Sequence, residues 1–300
     1  MLKNKNIIKL LAMVLVLSFG LVGCGGQKTT DNPADTTADK GTVKILYVEW
    51  ACATASSHVM ADILENKMGY KVELTPISAP LLFEGLANGD GDAMTTAWLP
   101  ITHKSYMEKV TGKVEDLGPN CEGAKLALVV PDYVDINSIE ELKANKDKFG
   151  GQIIGIDPGA GLMKLTEQVI KDYDLDYELM EGSDATMIAA LKSATDKKEP
   201  VVVTGWSPHW MYASWALKNL EDPKKVLGEE ETINTLVRNG LKEDMPEVYE
   251  LFDNFKWTIN DIGSAMLMAT EEGADSKTAA HKWVNENEDL VNSWLPDQYK

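Results

Sequence analysis

Arginine is almost missing: among 300 residues Arg238 is the only one, in a strand-like run far along the chain from the glycine-rich turn at 157–161. Proteins that bind ordinary amino acids commonly hold the carboxylate with an arginine fork and the primary ammonium with an acidic side chain. No such fork is in evidence here. Cysteine is scarce too: Cys24, Cys52 and Cys121 are too few for a disulfide framework. Cys52 and Cys121 read equally as a pair or as two small buried apolar residues. Four histidines without metal-ligand spacing, and no Gly-x-Ser-x-Gly, His-Glu-x-x-His or phosphate-loop motif, leave enzymatic chemistry with little to stand on. No enzyme activity, cofactor or metal is expected, and an exported hydrolase is the rival from another class.

Positive charge is also short. The formal charge is −18, with Lys3, Lys5 and Lys9 all ahead of an uncharged run at 10–23. Basic residues followed by a short apolar run, too short to span a bilayer comfortably, read as an export signal over 1–23. The run ends in Leu21-Val-Gly-Cys24, which resembles a bacterial lipobox with Cys24 as the lipidated residue. Residues 24–41 then read as a flexible tether rich in Thr, Asp, Gly and Ala. Without the three leading lysines the charge is −21, which argues against nucleic acid and leaves the lipid on Cys24 as the membrane link. An extracytoplasmic, lipid-anchored monomer is expected.

What is present is aromatic and placed at strand ends. Lys44-Ile-Leu-Tyr-Val-Glu-Trp50, Ala93-Met-Thr-Thr-Ala-Trp98 and Val201-Val-Val-Thr-Gly-Trp206 each close on a tryptophan, while Gln152-Ile-Ile-Gly-Ile156 runs into Asp157-Pro-Gly-Ala-Gly161 at a helix start. Ligands of open α/β sheets bind outside the carboxyl ends of the strands, so all four would face one cleft. Indole faces attract cations that lack hydrogen-bond donors, and free N–H groups at a helix start attract anions. A small zwitterion with a quaternary ammonium suits both. Trp210, Trp215, Trp257, Trp283 and Trp294 lack that placement and read as packing residues, as do Met163, Met187 and Met211. His209 reads as structural beside Pro208, and Asp157 as a brace of its turn.

Strands alternate with helical patterns, the mark of βαβ units. Helices are expected over 53–67, 79–88, 162–171, 184–193, 245–255, 260–270 and 277–294, with strands at 71–77, 125–131 and 232–238. Ser138 and Glu141 have capping-box spacing. The pattern describes an α/β two-lobe clamshell, each lobe a mainly parallel sheet flanked by helices, with lobe I over 42–128 plus 230–300 and lobe II over 129–229. Trp50 and Trp98 fall in lobe I, and Trp206 and the glycine turn in lobe II.

The segments Tyr47-Val-Glu-Trp50, Ala97-Trp-Leu-Pro-Ile-Thr-His103, Gly155-Ile-Asp-Pro-Gly-Ala-Gly161 and Gly205-Trp-Ser-Pro-His-Trp210 resemble those of the glycine-betaine-binding proteins of ABC importers, over residue 42 to the C-terminus. The resemblance implies a type II periplasmic-binding-protein fold. It also implies a cage of Trp50, Trp98 and Trp206 around the trimethylammonium, with the Gly161 and Leu162 N–H groups and the His103 side chain on the carboxylate. Ala51 and Cys52, just after Trp50, depart from the more polar residues expected there. The implied partners are glycine betaine or a relative (proline betaine, carnitine) and an ABC permease, in an osmoprotective role; choline is the alternative ligand.

Overall fold

The computed structural model describes residues 40–300; the expected signal peptide, Cys24 and most of the tether lie outside them. Strand β1 (Thr42–Tyr47) leads through a short turn into helix α1 (Ala51–Asp62), whose end continues as one π-helical turn over Ile63–Lys67. Strand β2 (Lys71–Pro76), helix α2 (Ala79–Asn88) and strand β3 (Ala93–Leu99) follow. Helix α2 carries Pro80 in its first turn, where a missing N–H costs nothing, and stops at Gly89 in the left-handed conformation (φ 80°).

Helix α3 (Lys104–Val110) was not legible in the sequence, and strand β4 (Val114–Pro131) is 18 residues long, well beyond the expected 125–131. A 3₁₀ stretch over Ile139–Phe149 opens with the expected capping box of Ser138 and Glu141. The second half holds β5 (Gln152–Ile154), α4 (Gly161–Asp172), β6 (Glu178–Met180), α5 (Asp184–Lys197), β7 (Val203–Ser207), α6 (Met211–Ser214) and β8 (Leu217–Asn219). Strand β9 (Glu231–Arg238) then returns to the first half and is followed by α7 (Leu241–Asp244), α8 (Pro246–Asn254), α9 (Ile259–Met268), α10 (Ser276–Glu286) and α11 (Glu288–Trp294). The single helix expected over 277–294 breaks at Asn287 (φ −123°), whose side chain bonds back to Trp283 O at 2.8 Å. None of the described helices is long and apolar enough to cross a membrane.

The strands run in the order β2-β1-β3-β9-β4-β7-β5-β6, with β8 beside β4. β1 pairs in parallel with β2 and β3, and β5 with β6 and β7, as βαβ units require. The α/β class therefore stands with one refinement. β9 is antiparallel to both β3 and β4, and β4 is antiparallel to β7, because each crosses between the halves and comes back alongside. β4 pairs with β9 up to Ala124 and with β7 from Lys125, so one continuous strand serves both halves.

The core is aromatic under the C-terminal helices. Trp283 and Trp294 are fully buried and stacked at 6.2 Å, with Trp257 edge-on to Trp283 at 5.8 Å. Met163, Met187 and Met211 are buried as well. Gly91 packs where a Cβ would overlap Leu46 Cγ and lie 2.7 Å from Cδ1. Gly91→Ala is therefore expected to lose about 1–3 kcal/mol of stability through overpacking, read as a lowered urea midpoint with an unchanged slope.

Candidate functional site

Trp50 is the N-cap of α1, Trp98 the penultimate residue of β3 and Trp206 the penultimate residue of β7. All three are nearly closed off from solvent, at 7%, 3% and 4% exposure. Together with His103, Gly161 and Leu162 they line one cavity of about 310 Å³ including its mouth. Much of that space is the mouth, and the closed part suits only a compact molecule. Sequence reasoning missed the rest of the wall: Cys52, Thr102, Leu126, Ile156 and Ala160.

His103 is 1% exposed and stacked on Trp50 (5.9 Å, 19° between planes). Trp98 N–H donates to its Nδ1 at 3.0 Å. A backbone N–H can only donate, so Nδ1 carries a lone pair and the ring proton of the neutral imidazole sits on Nε2. Burial, with the Lys164 ammonium adding to it, holds the His103 pKa down to about 3. Nε2 is buried with no hydrogen-bond partner in the protein. A buried donor without an acceptor costs about 1–3 kcal/mol, and a ligand oxygen would relieve it.

Across the cavity, α4 starts at Gly161 with no side-chain cap, and neither Gly161 N–H nor Leu162 N–H finds a protein acceptor. These are the orphan donors of a helix start, at the positive end of its dipole. Gly161 is required by close approach: a Cβ there would overlap Thr102 O and lie 2.8 Å from Thr102 Cγ2. Thr102 is itself fixed, since Glu231 at the start of β9 accepts from Ile101 N–H (2.6 Å), Thr102 N–H (2.9 Å) and the Thr102 hydroxyl. Glu231 is buried. Glu231 is the last of three consecutive glutamates, so nothing local in the sequence set it apart from its exposed neighbours Glu229 and Glu230.

Further bonds join the two sides. Asp157 Oδ2 accepts from Trp50 Nε1 at 3.1 Å, and Tyr106 hydroxyl donates to Gly159 O at 2.5 Å. His209 is buried and structural in its contacts: its Nδ1 accepts from Met211 N–H, its Nε2 meets Asp184 Oδ1 at 3.1 Å, and its ring stands edge-on to Trp206 at 4.6 Å. Arg238 is committed elsewhere, to Asp92 at 2.7 Å and Asp244 at 2.8 Å. Cys52 and Cys121 are both free and buried, and burial pushes each thiol up to about 12. No cluster that could hold a metal occurs among the described residues.

The cavity thus sets an aromatic wall against an uncapped helix start on an α/β frame, an arrangement suited to holding a small solute. The chain belongs to the family described as the substrate-binding domain of ABC-type glycine betaine transport systems, which matches residues 41–286. This is a family of transport proteins, not enzymes, so the hydrolase rival falls. A glycine betaine/carnitine transport binding protein of Listeria monocytogenes is 48% identical over 145 residues, 47% of this chain and 48% of that protein, so the match spans about half of that relative's length. Among solved structures, a glycine betaine and L-proline ABC transporter binding protein from Borrelia burgdorferi superposes with TM-score 0.82 at 38% identity, over 86% of this chain and 98% of that one. The lactococcal binding protein in its closed form with glycine betaine gives 0.80 at 38% identity, over 85% and 100%. The fold is accordingly that of the periplasmic binding proteins.

The low pKa of His103 has a consequence for stability. In the unfolded chain the ring takes up a proton near 6.5, in the folded chain only near 3, so acidification across that window favours unfolding. The stability that neutral His103 secures is complete above about 6.5 and lost as pH falls toward 3. His103→Gln is expected to flatten the fall of the urea midpoint between pH 7 and pH 4.5 relative to the unaltered protein.

Proposed function

We propose that the cavity captures glycine betaine or a related quaternary ammonium zwitterion, such as proline betaine or carnitine, outside the cytoplasm and delivers it to an ABC permease for osmoprotection. The observation that carries this reading is the unpaired Nε2–H of His103, buried at the edge of an indole box and accompanied by the free Gly161 and Leu162 N–H groups. Three donors without acceptors ask for a carboxylate, and three indoles ask for a cation that cannot hydrogen-bond.

The carboxylate would take the His103 proton and the two helix-start N–H groups, while the trimethylammonium packs among Trp50, Trp98 and Trp206. Desolvated cation–π contacts supply about 2 kcal/mol each, and hydrogen bonds to a charged group about 1.5–3 kcal/mol each. After the cost of immobilising the ligand, micromolar affinity at about −8 kcal/mol is within reach. Choline has no carboxylate and would leave the three donors idle, so it ranks below the zwitterions.

Lobe I is assigned to 42–128 plus 230–300 and lobe II to 129–229. The ligand bridges them: Trp50, Trp98 and His103 come from one, Trp206, Gly161 and Leu162 from the other. Closure around it is the state a permease would read, since only then do both lobes contact it. The lipobox-like Leu21-Val-Gly-Cys24 supports an anchor through acyl chains on Cys24, with the protein acting as a monomer.

Calorimetric titration with glycine betaine, proline betaine, carnitine and choline tests the assignment. Trp98→Ala and Trp206→Ala should each weaken glycine betaine binding at least tenfold with the fold intact, while Trp294→Ala should leave affinity alone. His103→Ala should weaken glycine betaine and spare choline; an equal loss for both, or equal losses in all three tryptophan variants, overturns the assignment.

A further inference from the structure

Two neighbouring N–H donors at the β1–α1 turn, neither of which has an acceptor in its own lobe, are met by two carboxylates of the other. The indole N–H of Trp50 donates to Asp157 Oδ2 at 3.1 Å, and the backbone N–H of Ala51 donates to Asp184 Oδ2 at 2.8 Å. Ala51 is the first residue of α1, and that helix has no side-chain cap from its own N-cap, Trp50. Its cap is supplied in trans. A carboxylate at a helix start satisfies an orphan donor and lies at the favourable end of the dipole.

Asp184 is held ready for this. It is buried, and its second oxygen is taken by His209 Nε2 at 3.1 Å, whose other ring nitrogen accepts from Met211 N–H at 3.0 Å. His209 and Met211 lie in the same lobe as Asp184, so that arrangement is independent of closure. Of the bonds Asp184 makes, only the one to Ala51 depends on bringing the lobes together. Neither Asp157 nor Asp184 has a lysine or arginine within ion-pair distance among the described residues. Asp184 does not line the ligand cavity; it lies behind Cys52, whose thiol it helps to push up.

Resting on the two-lobe capture reading, we propose that Asp184, with Asp157 beside it, is the closure latch of this protein: a positioning residue that sets how long the closed state lasts without touching the ligand. Two carboxylates gathered at a turn that lacks a basic side chain are disfavoured in an empty cleft, and the ligand's quaternary ammonium supplies the missing positive charge. The latch therefore engages with the ligand and holds it by slowing reopening.

The test measures association and dissociation rates for glycine betaine, proline betaine and carnitine on the full chain, unaltered and as Asp184→Ala and Asp184→Asn, together with hydrogen exchange at the Ala51 amide. Asp184→Ala is expected to raise the dissociation rate at least tenfold, by one factor for all three ligands, with association changed less than twofold, and, because it leaves the buried His209 Nε2–H unpaired, to lower the ligand-free melting temperature. Asp184→Asn, which keeps one oxygen acceptor, is expected to lose less. Ligand should slow Ala51 exchange in the unaltered protein and not in Asp184→Ala. Unchanged dissociation, or a loss confined to one ligand, overturns the latch; if Asp184→Ala melts early, Asp184→Asn is read by the same criteria. Absence of binding of all three compounds in the unaltered protein sinks the ligand reading, and the latch with it; binding with dissociation untouched by Asp184→Ala and Asp184→Asn sinks the latch alone.

Discussion

The approach of the Gly161 backbone to Thr102 O is the constraint on which the site depends. No side chain fits between them, so the start of α4 lies directly against the loop that carries Thr102 and His103. That contact places an uncapped helix start, with its partial positive charge, a short distance from His103, whose buried Nε2 has no partner in the protein. Glu231 fixes the other partner by taking both N–H groups and the hydroxyl of the Ile101–Thr102 pair. Because Glu231 stands opposite Ala124, where β4 passes from one half's sheet to the other, the strand that joins the halves also sets the height of the loop on which the clamp is built.

His103 illustrates how a weak local preference becomes a fixed chemical state. An isolated histidine near neutrality exchanges between tautomers and takes up a proton readily. Here one backbone bond from Trp98 selects the tautomer, and burial removes the charged form from consideration. The result is a donor of constant character from mildly acidic to alkaline conditions. A cationic histidine would bind an anion more strongly but would also oppose any cation taken up among the tryptophans.

Much of this was legible because the chemistry lies at strand ends, where sequence punctuation is strongest. Trp50, Trp98 and Trp206 close apolar runs, and Asp157-Pro-Gly-Ala-Gly161 is unmistakable as a turn into a helix. What escaped was long-range. The antiparallel course of β9 and the early half of β4 depend on partners distant in sequence, and Val114–Ala124 has a polar, glycine-interrupted pattern that carries no strand signature. Helix α3 is seven residues long and too short for periodicity to show. Asp184 read only as a helix start, since nothing in the chain tells that its oxygens reach Ala51 and His209.

The placement of negative charge explains why the walls are aromatic. A carboxylate in direct contact with a quaternary ammonium would give up its own hydration and receive no hydrogen bond in return. In this protein the acids stand one layer back, each satisfied by N–H donors: Asp157 by the Trp50 indole and Asp184 by Ala51 and His209. Bound at the indole N–H, Asp157 makes the Trp50 ring more electron-rich, because a hydrogen-bonded anion at the N–H pushes electron density into the ring. The charge thus acts through the wall and never needs to be desolvated against the ligand. A primary ammonium would gain less from such a box, having donors that indole faces cannot satisfy, so on the proposed reading the layering would favour methylated over ordinary amino acids.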